Sequence, residues 1–496
     1  MSARRFAYAT VIQIVGKFAG FFISSFFLVI LAAHLGTVGM GYYTTITAFL
    51  AFFSTLADLG VTAVMIREIA QDPSCRVQIT GDFLGLRILY GLLILGLAPL
   101  IAQFIPQYRG EVEQGMIIAA LAQFLLLINQ VFVSVLQVEI QLDRAVLAEF
   151  VNRVVVLGVV IWAAEAVRNP VQFFFVALWA GVAGAVANTI IGYAFARKLW
   201  IVMPSFHPQR WKQLIILVLP MGLLNFLGMV HFKSDSVILS LLKPAHDIGV
   251  YGYAYKIGEI LLSIPAMFIG VIFPKLSLLF KEEKEQFKRF SQKVFTALAA
   301  LTLPLITAIF ALAPYLTTLL SRQSLEDGLQ AGQVLQILCL AMFSWYFGSL
   351  YQNILLVGSF YRGLIRNITI VVVINIISNL LFIPHYSYFA AAWVTAVTET
   401  INLILTIIYV RQTTGFVARL EGFAPIILSA GAMYLAFILV QHFLPGGLTA
   451  FAAASRFHQL ISLLEMSLAA GVVYILVLVG WGKRSPIFTF LSMLAK

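Results

Sequence analysis

The sequence predicts an all-α polytopic membrane protein, and three observations carry that expectation. Hydrophobic residues make up 61% of the chain and charged residues only 11%, where a soluble globular domain carries about 25% charged. The mean hydropathy is +0.97. The apolar residues also gather into stretches of bilayer-crossing length, about 20 residues each.

Fourteen such stretches follow in order: 6–33, 41–66, 80–104, 115–138, 145–165, 171–196, 211–242, 247–279, 288–313, 328–357, 362–383, 387–410, 422–443 and 457–481. The opening MSARRF leads into the first of them without a small-residue cleavage signal, which reads as a retained helix rather than a signal peptide. The connections are short and leave no room for a soluble catalytic domain. There is no Gly-rich phosphate loop either, so the chain is not expected to be an enzyme or to hydrolyse ATP. Cys75 and Cys339 lie far apart without ligand-spaced partners, so neither a disulfide nor a metal site is expected.

The net charge of +11 would suggest nucleic acid in a soluble domain, but in a membrane protein only its location matters, because cytoplasmic loops collect Lys and Arg. With a cytoplasmic N-terminus, twenty-two bases fall in inside segments and five (Arg109, Arg168, Lys243, Arg322 and Arg456) in outside ones. That asymmetry places both termini in the cytoplasm and predicts no nucleic-acid partner. The longest hydrophilic run, 281–293, reads as a cytoplasmic connector whose bases can rest on an anionic leaflet.

Five bases remain inside predicted helices: Lys17, Arg87, Arg153, Lys233 and Lys256. The stretch Ile215–Leu242 departs furthest from apolar character, with Pro220 and Gly222 near its start and His231, Lys233 and Asp235 toward its end. Each charge facing lipid would cost about 2.5–3.5 kcal/mol, so these groups face one another or water. His231 and Asp235 are one turn apart and share a face, while Lys233 points nearly opposite. They are either packed pairs holding helices together or one wall of a hydrated cavity.

Shifting the chain by 210 residues aligns Phe22 with Phe232, Ser24 with Ser234, Leu31 with Leu241, Gly39 with Gly249 and Gly60 with Gly270. The turns VGMGYY and IGVYGY coincide. An even number of spans separates the copies, which makes a parallel repeat of the kind that rocks about a site at the repeat interface.

The residues that carry this repeat also carry a resemblance. Asp235 to Leu242 (D-x-x-I-L-x-x-L), IGVYGYAYKI at 248–257, LGTVGMGYYTTITAF at 35–49 and DLGVTAVMIREIA at 58–70 resemble the Wzx-like polysaccharide flippases of the multidrug/oligosaccharidyl-lipid/polysaccharide exporter superfamily. The resemblance implies two six-helix bundles in a V-shaped, MATE-like arrangement, at 1–200 and 201–415, open alternately to either side of a bacterial or archaeal inner membrane. It implies a polyprenyl-pyrophosphate-linked oligosaccharide as cargo, for cell-envelope polysaccharide such as O-antigen. Membrane lipids, a polysaccharide polymerase and glycosyltransferases are the implied partners. Fourteen spans resemble the MurJ and SpoVB-like lipid II flippases, with 416–496 supplying two additional transmembrane helices. The arginine-rich first helix expected there is replaced by Lys17 and the Ser24–Ser25 pair.

Such a cargo needs a cationic cavity. Counted at about 1.5 Å per residue, Lys17, Arg153, Lys233 and Lys256 lie near mid-depth and are the expected substrate-binding residues, the other reading being internal pairs such as Glu149–Arg153 and Lys256–Glu259. Arg87 is expected to be structural. Asp235, with His231 and Glu259, is the expected coupling site for Na⁺ or H⁺, since a buried carboxylate with a raised pKa carries protons; no other cofactor is expected. A multidrug cation antiporter would want a carboxylate-rich cavity instead, and a scramblase or a structural partner for a glycosyltransferase would need no mid-membrane base. Pro220 with Gly222, Pro265, Pro274 and Pro304 are the expected hinges, and Gly16 with Gly20 is a small-xxx-small surface where a neighbouring helix can approach closely.

Overall fold

A computed structural model of the chain describes residues 3–58, 60–321, 324–420, 423–443 and 447–481; the side chains up to residue 15, and those of Lys17 and Pro220, lie outside the described set. The structure is 91% helical, with no strand among the described residues. The helices are α1 (Ala3–Asp58), α2 (Val61–Gln71), α3 (Arg76–Ala102), α4 (Glu111–Val138), α5 (Leu142–Ala166), α6 (Pro170–Ala196), α7 (Pro208–Leu242), α8 (Ala245–Glu282), α9 (Lys284–Leu320), α10 (Leu325–Val357), α11 (Tyr361–Thr414), α12 (Phe423–Phe443), α13 (Gly447–Ala453) and α14 (Arg456–Gly480). Among the described residues, ten helical segments are long and apolar enough to cross a membrane.

Two of these helices are broken. In α1 the break is Gly36, whose φ of 64° needs the absent Cβ, and it falls between the first two predicted spans. In α11 it is Ser387, at φ 49°, where the eleventh predicted span gives way to the twelfth. The Asn375 amide donates to Thr398 Oγ1 across that break at 3.1 Å, and Asn379 donates to Asn375 at 2.9 Å. The predicted span 41–66 is itself interrupted, because Gly60 turns left-handed (φ 73°) and α2 starts afresh.

The hydrophilic run 281–293 is not a loop. Helix α8 continues to Glu282 and α9 begins at Lys284, since Lys, Glu and Gln are good helix formers and Glu285 pairs with Lys288 one turn on. Helix α8 also runs on through Pro265 and Pro274, and α9 through Pro304 and Pro314.

The chain divides into two compact units, Met1–Gly249 and Val250–Lys496. Among the described residues the first has three apolar clusters, two of them large. One gathers Leu31, Ile46, Phe49, Met116, Phe174 and Val237, and the other Met65, Phe83, Val131, Phe132, Trp211 and Val218. Repeat-related segments meet inside this unit. Gly41 abuts the backbone of Ala245, and Gly249 abuts the carbonyl of Thr37, so that a Cβ on either would overlap backbone atoms. Tyr108, between α3 and α4, meets Ser240 on α7 at 2.5 Å, and burial pushes its phenol up to about 12. In the second unit Phe295 packs on Phe347 and Phe423. Tyr474 donates to the Ala300 carbonyl at 2.8 Å and Gln441 to that of Ala311 at 3.2 Å, fastening α14 and α12 to α9.

Candidate functional site

The C-terminal part of α7, from His231 on, carries its polar groups on the inside. His231, Lys233, Ser234, Asp235, Ser236 and Ser240 are all buried, with Asp235 only 1% exposed. The Lys233 ammonium lies 5.0 Å from the centre of the Phe232 ring, a favourable cation–π position. Asp235 Oδ1 accepts from the Ser236 backbone N–H at 2.6 Å. The helix thus bears an acid, a base and an imidazole within one and a half turns, all withdrawn from the surface.

Arg153 stands at the α1–α5 contact. It donates to the Gly20 carbonyl at 3.0 Å and to Ser24 Oγ, and pairs with Glu149 at 2.6 Å. The close approach expected at Gly16 and Gly20 is made there, with Gly16 against Val146 and Gly20 against Arg153 itself. Lys256 pairs with Glu259 at 2.8 Å. Both intrahelical ion pairs offered by the spacing therefore form. The Lys17 side chain lies outside the described residues.

Arg87 is 1% exposed, and its two terminal nitrogens are held by unit-one partners: Asp58 at 2.5 Å, Leu127 O at 2.7 Å, Gln130 Oε1 at 2.8 Å and Thr62 Oγ1 at 3.1 Å. This arginine locks α3 to α4 and to the end of α1.

Two clusters escaped the sequence reading. Asp82 on α3, fully buried, accepts from Ser205 at 2.6 Å and lies 2.8 Å from His207 Nδ1 and 3.0 Å from Arg210 Nε, which straps the 197–207 segment onto α3. A cavity of about 540 Å³ between α1, α4, α5 and α6 is lined by five amides, Asn129, Gln130, Gln137, Asn152 and Asn188, together with the Glu149–Arg153 pair. The Gly184-xxx-Asn188-xxx-Gly192 stripe on α6 was the available signal. A Cβ at Gly184 would strike Asn152, and one at Gly192 would strike Asn129. Among the described residues, no group of three His, Cys, Asp or Glu side chains is arranged to hold a metal ion.

This all-helical chain of broken, polar-lined membrane helices has the fold of the multidrug/oligosaccharidyl-lipid/polysaccharide exporter superfamily. It matches a solved structure of the lipid II flippase MurJ in an inward closed conformation with a TM-score of 0.73 at 11% identity, covering 96% of this chain and 98% of that one. An inward-facing multidrug resistance MATE family transporter matches with a TM-score of 0.61 at 13% identity over 82% of this chain and 98% of that one. A superfamily transporter from Pyrococcus furiosus, described by the reversed polarity of its binding pocket, matches at 0.58 and 15% identity over 82% and 95%. The model of the polysaccharide biosynthesis protein family matches residues 3–280, and the chain belongs to that family. Comparison with curated proteins gives no match.

Proposed function

We propose that this protein is a flippase that moves a polyprenyl-pyrophosphate-linked oligosaccharide from the inner to the outer leaflet of the cytoplasmic membrane by alternating access, driven by a Na⁺ or H⁺ gradient. The observation that carries the reading is the buried acid–base set on α7, in a chain of the polysaccharide biosynthesis family. Ionisable groups inside membrane helices mark substrate and ion pathways, and a pyrophosphate leaving water needs fixed cations.

In this reading Lys17, Arg153, Lys233 and Lys256 receive the pyrophosphate, and Asp235 with His231 and Glu259 couples the ion. For Arg153 and Lys256 the phosphates displace Glu149 and Glu259, an exchange between two charge-assisted partners that makes release as accessible as capture. The bodies that rock are 1–200 and 201–415, and 416–496 adds two spans. Dividing α1 at Gly36 and α11 at Ser387 leaves fourteen long helical stretches, which supports fourteen spans with both termini cytoplasmic. A polysaccharide polymerase and glycosyltransferases are the proposed partners.

Lipid II is the second reading, favoured by the coverage of nearly the whole chain in the match to its flippase. A test in cells separates the two. In strains lacking a polysaccharide flippase or a lipid II flippase, the chain should restore surface polysaccharide in the first and leave the second dependent on its own flippase. Rescue of the second strain alone would reverse the assignment.

A further inference from the structure

The amides that line the first-unit cavity have no role in the reading above, although they are costly to bury. Asn129 and Asn188 are 4% and 5% exposed, and among the described residues the carbonyl oxygen of neither side chain has a hydrogen-bond partner. A buried acceptor without a donor is destabilising, and two such acceptors line one cavity with the further amides of Gln130, Gln137 and Asn152. Glycines shape it: Gly184 and Gly192 on α6 leave the space that Asn152 and Asn129 occupy.

Charge does not define this cavity. Its acid and its base, Glu149 and Arg153, neutralise one another at 2.6 Å, and Arg153 is further held by Gly20 and Ser24. While that pair holds, the lining has no bare carboxylate for a metal ion or ammonium, and the other polar side chains in it are the uncharged amides. Side-chain amides offer donors and acceptors together, and ring hydroxyls do the same. The volume, about 540 Å³, lies within the roughly 300–1,000 Å³ of small-molecule sites. Gln137, Leu142 and Ala145 place one end of it at the α4–α5 turn, which the positive-inside assignment puts on the cytoplasmic side, where a cargo glycan is exposed before transport.

We infer that the amides of this cavity form a sugar subsite that holds the uncharged, hydroxyl-bearing part of the glycan, next to Arg153, the one pyrophosphate-receiving group in its lining. The inference rests on the flippase reading and deepens it. The test uses the purified full chain in lipid nanodiscs with two probes, the labelled polyprenyl-linked glycan pool extracted from the source cells and polyprenyl pyrophosphate without sugar. Wild type should bind the glycan-bearing lipid about tenfold more tightly or better, a margin that a few well-placed hydrogen bonds supply. Asn129→Leu with Asn188→Leu, and separately Val133→Phe, which fills the cavity without removing a polar group, should lose that preference while binding the sugar-free lipid as before. Melting temperatures measured alongside identify any variant that fails through misfolding. Val133→Phe that folds and keeps the full preference overturns the inference, as does a wild type that binds both lipids equally; the flippase reading survives either result. A wild type that neither binds nor moves either lipid removes the flippase reading and the inference with it.

Discussion

The ammonium of Lys256 lies 2.8 Å from the carboxylate of Glu259, one turn along α8, with both side chains largely withdrawn from the surface. Removing the base alone leaves the acid without this partner, at a cost of about 1–3 kcal/mol. Lys256→Gln should therefore melt at a lower temperature than wild type, and Lys256→Gln with Glu259→Gln should recover most of the loss, since replacing both members of a buried pair is nearly neutral. Neither should transport, and Lys256→Arg should transport in part. A double variant that is stable and fully active would make the pair mere helix packing.

The Arg87–Asp58 pair makes the complementary case. Here the arginine is the buried member, and Asp58→Asn strands a guanidinium at a cost of about 3–5 kcal/mol. Thermal unfolding in detergent should show Asp58→Asn well below Arg87→Met with Asp58→Asn. Equal melting of the two would mean that Leu127, Gln130 and Thr62 suffice to hold the charge.

Backbone contacts between the repeats give a purely steric prediction. Gly249→Ala and Gly41→Ala should each sharply reduce the yield of folded protein, whereas Gly158→Ala, where a Cβ meets nothing within 4 Å, should be neutral or stabilising by up to about 1 kcal/mol. Size-exclusion profiles of the three variants decide it; a monodisperse Gly249→Ala at wild-type yield would contradict the close approach.

Much of this was legible in the sequence because bilayer physics leaves a strong periodic-free signal. The span predicted at 211–242 corresponds to α7 and the one at 328–357 to α10, each within three residues. The break at Gly36 falls in the gap between two predicted spans, and the one at Ser387 falls on the first residue of the twelfth. Residues 281–293 misled because hydrophilicity marks a segment outside the bilayer without distinguishing loop from helix. The acid and base on α7 stood out by cost in lipid. The amide cavity did not, because uncharged Asn and Gln scattered over three helices converge only in the folded unit, and Asp82 could not be matched to His207 and Arg210, 125 and 128 residues away, by any local spacing.

Coupling should reside at Asp235. Asp235→Asn is expected to bind cargo normally yet lose the acceleration that an imposed Na⁺ or H⁺ gradient gives. If the variant responds to the gradient as wild type does, the carboxylate is a structural acceptor for the Ser236 amide and the ion acts elsewhere.

The most direct measurement of the flippase claim is leaflet exchange by the purified protein in liposomes, with a fluorescent polyprenyl-pyrophosphate oligosaccharide in one arm and tetraethylphosphonium uptake in the other. The account predicts protein-dependent flipping of the lipid-linked sugar, lost in Lys233→Gln, and no accumulation of the cation. Tetraethylphosphonium uptake without any movement of the glycolipid would contradict it and make the protein a cation antiporter.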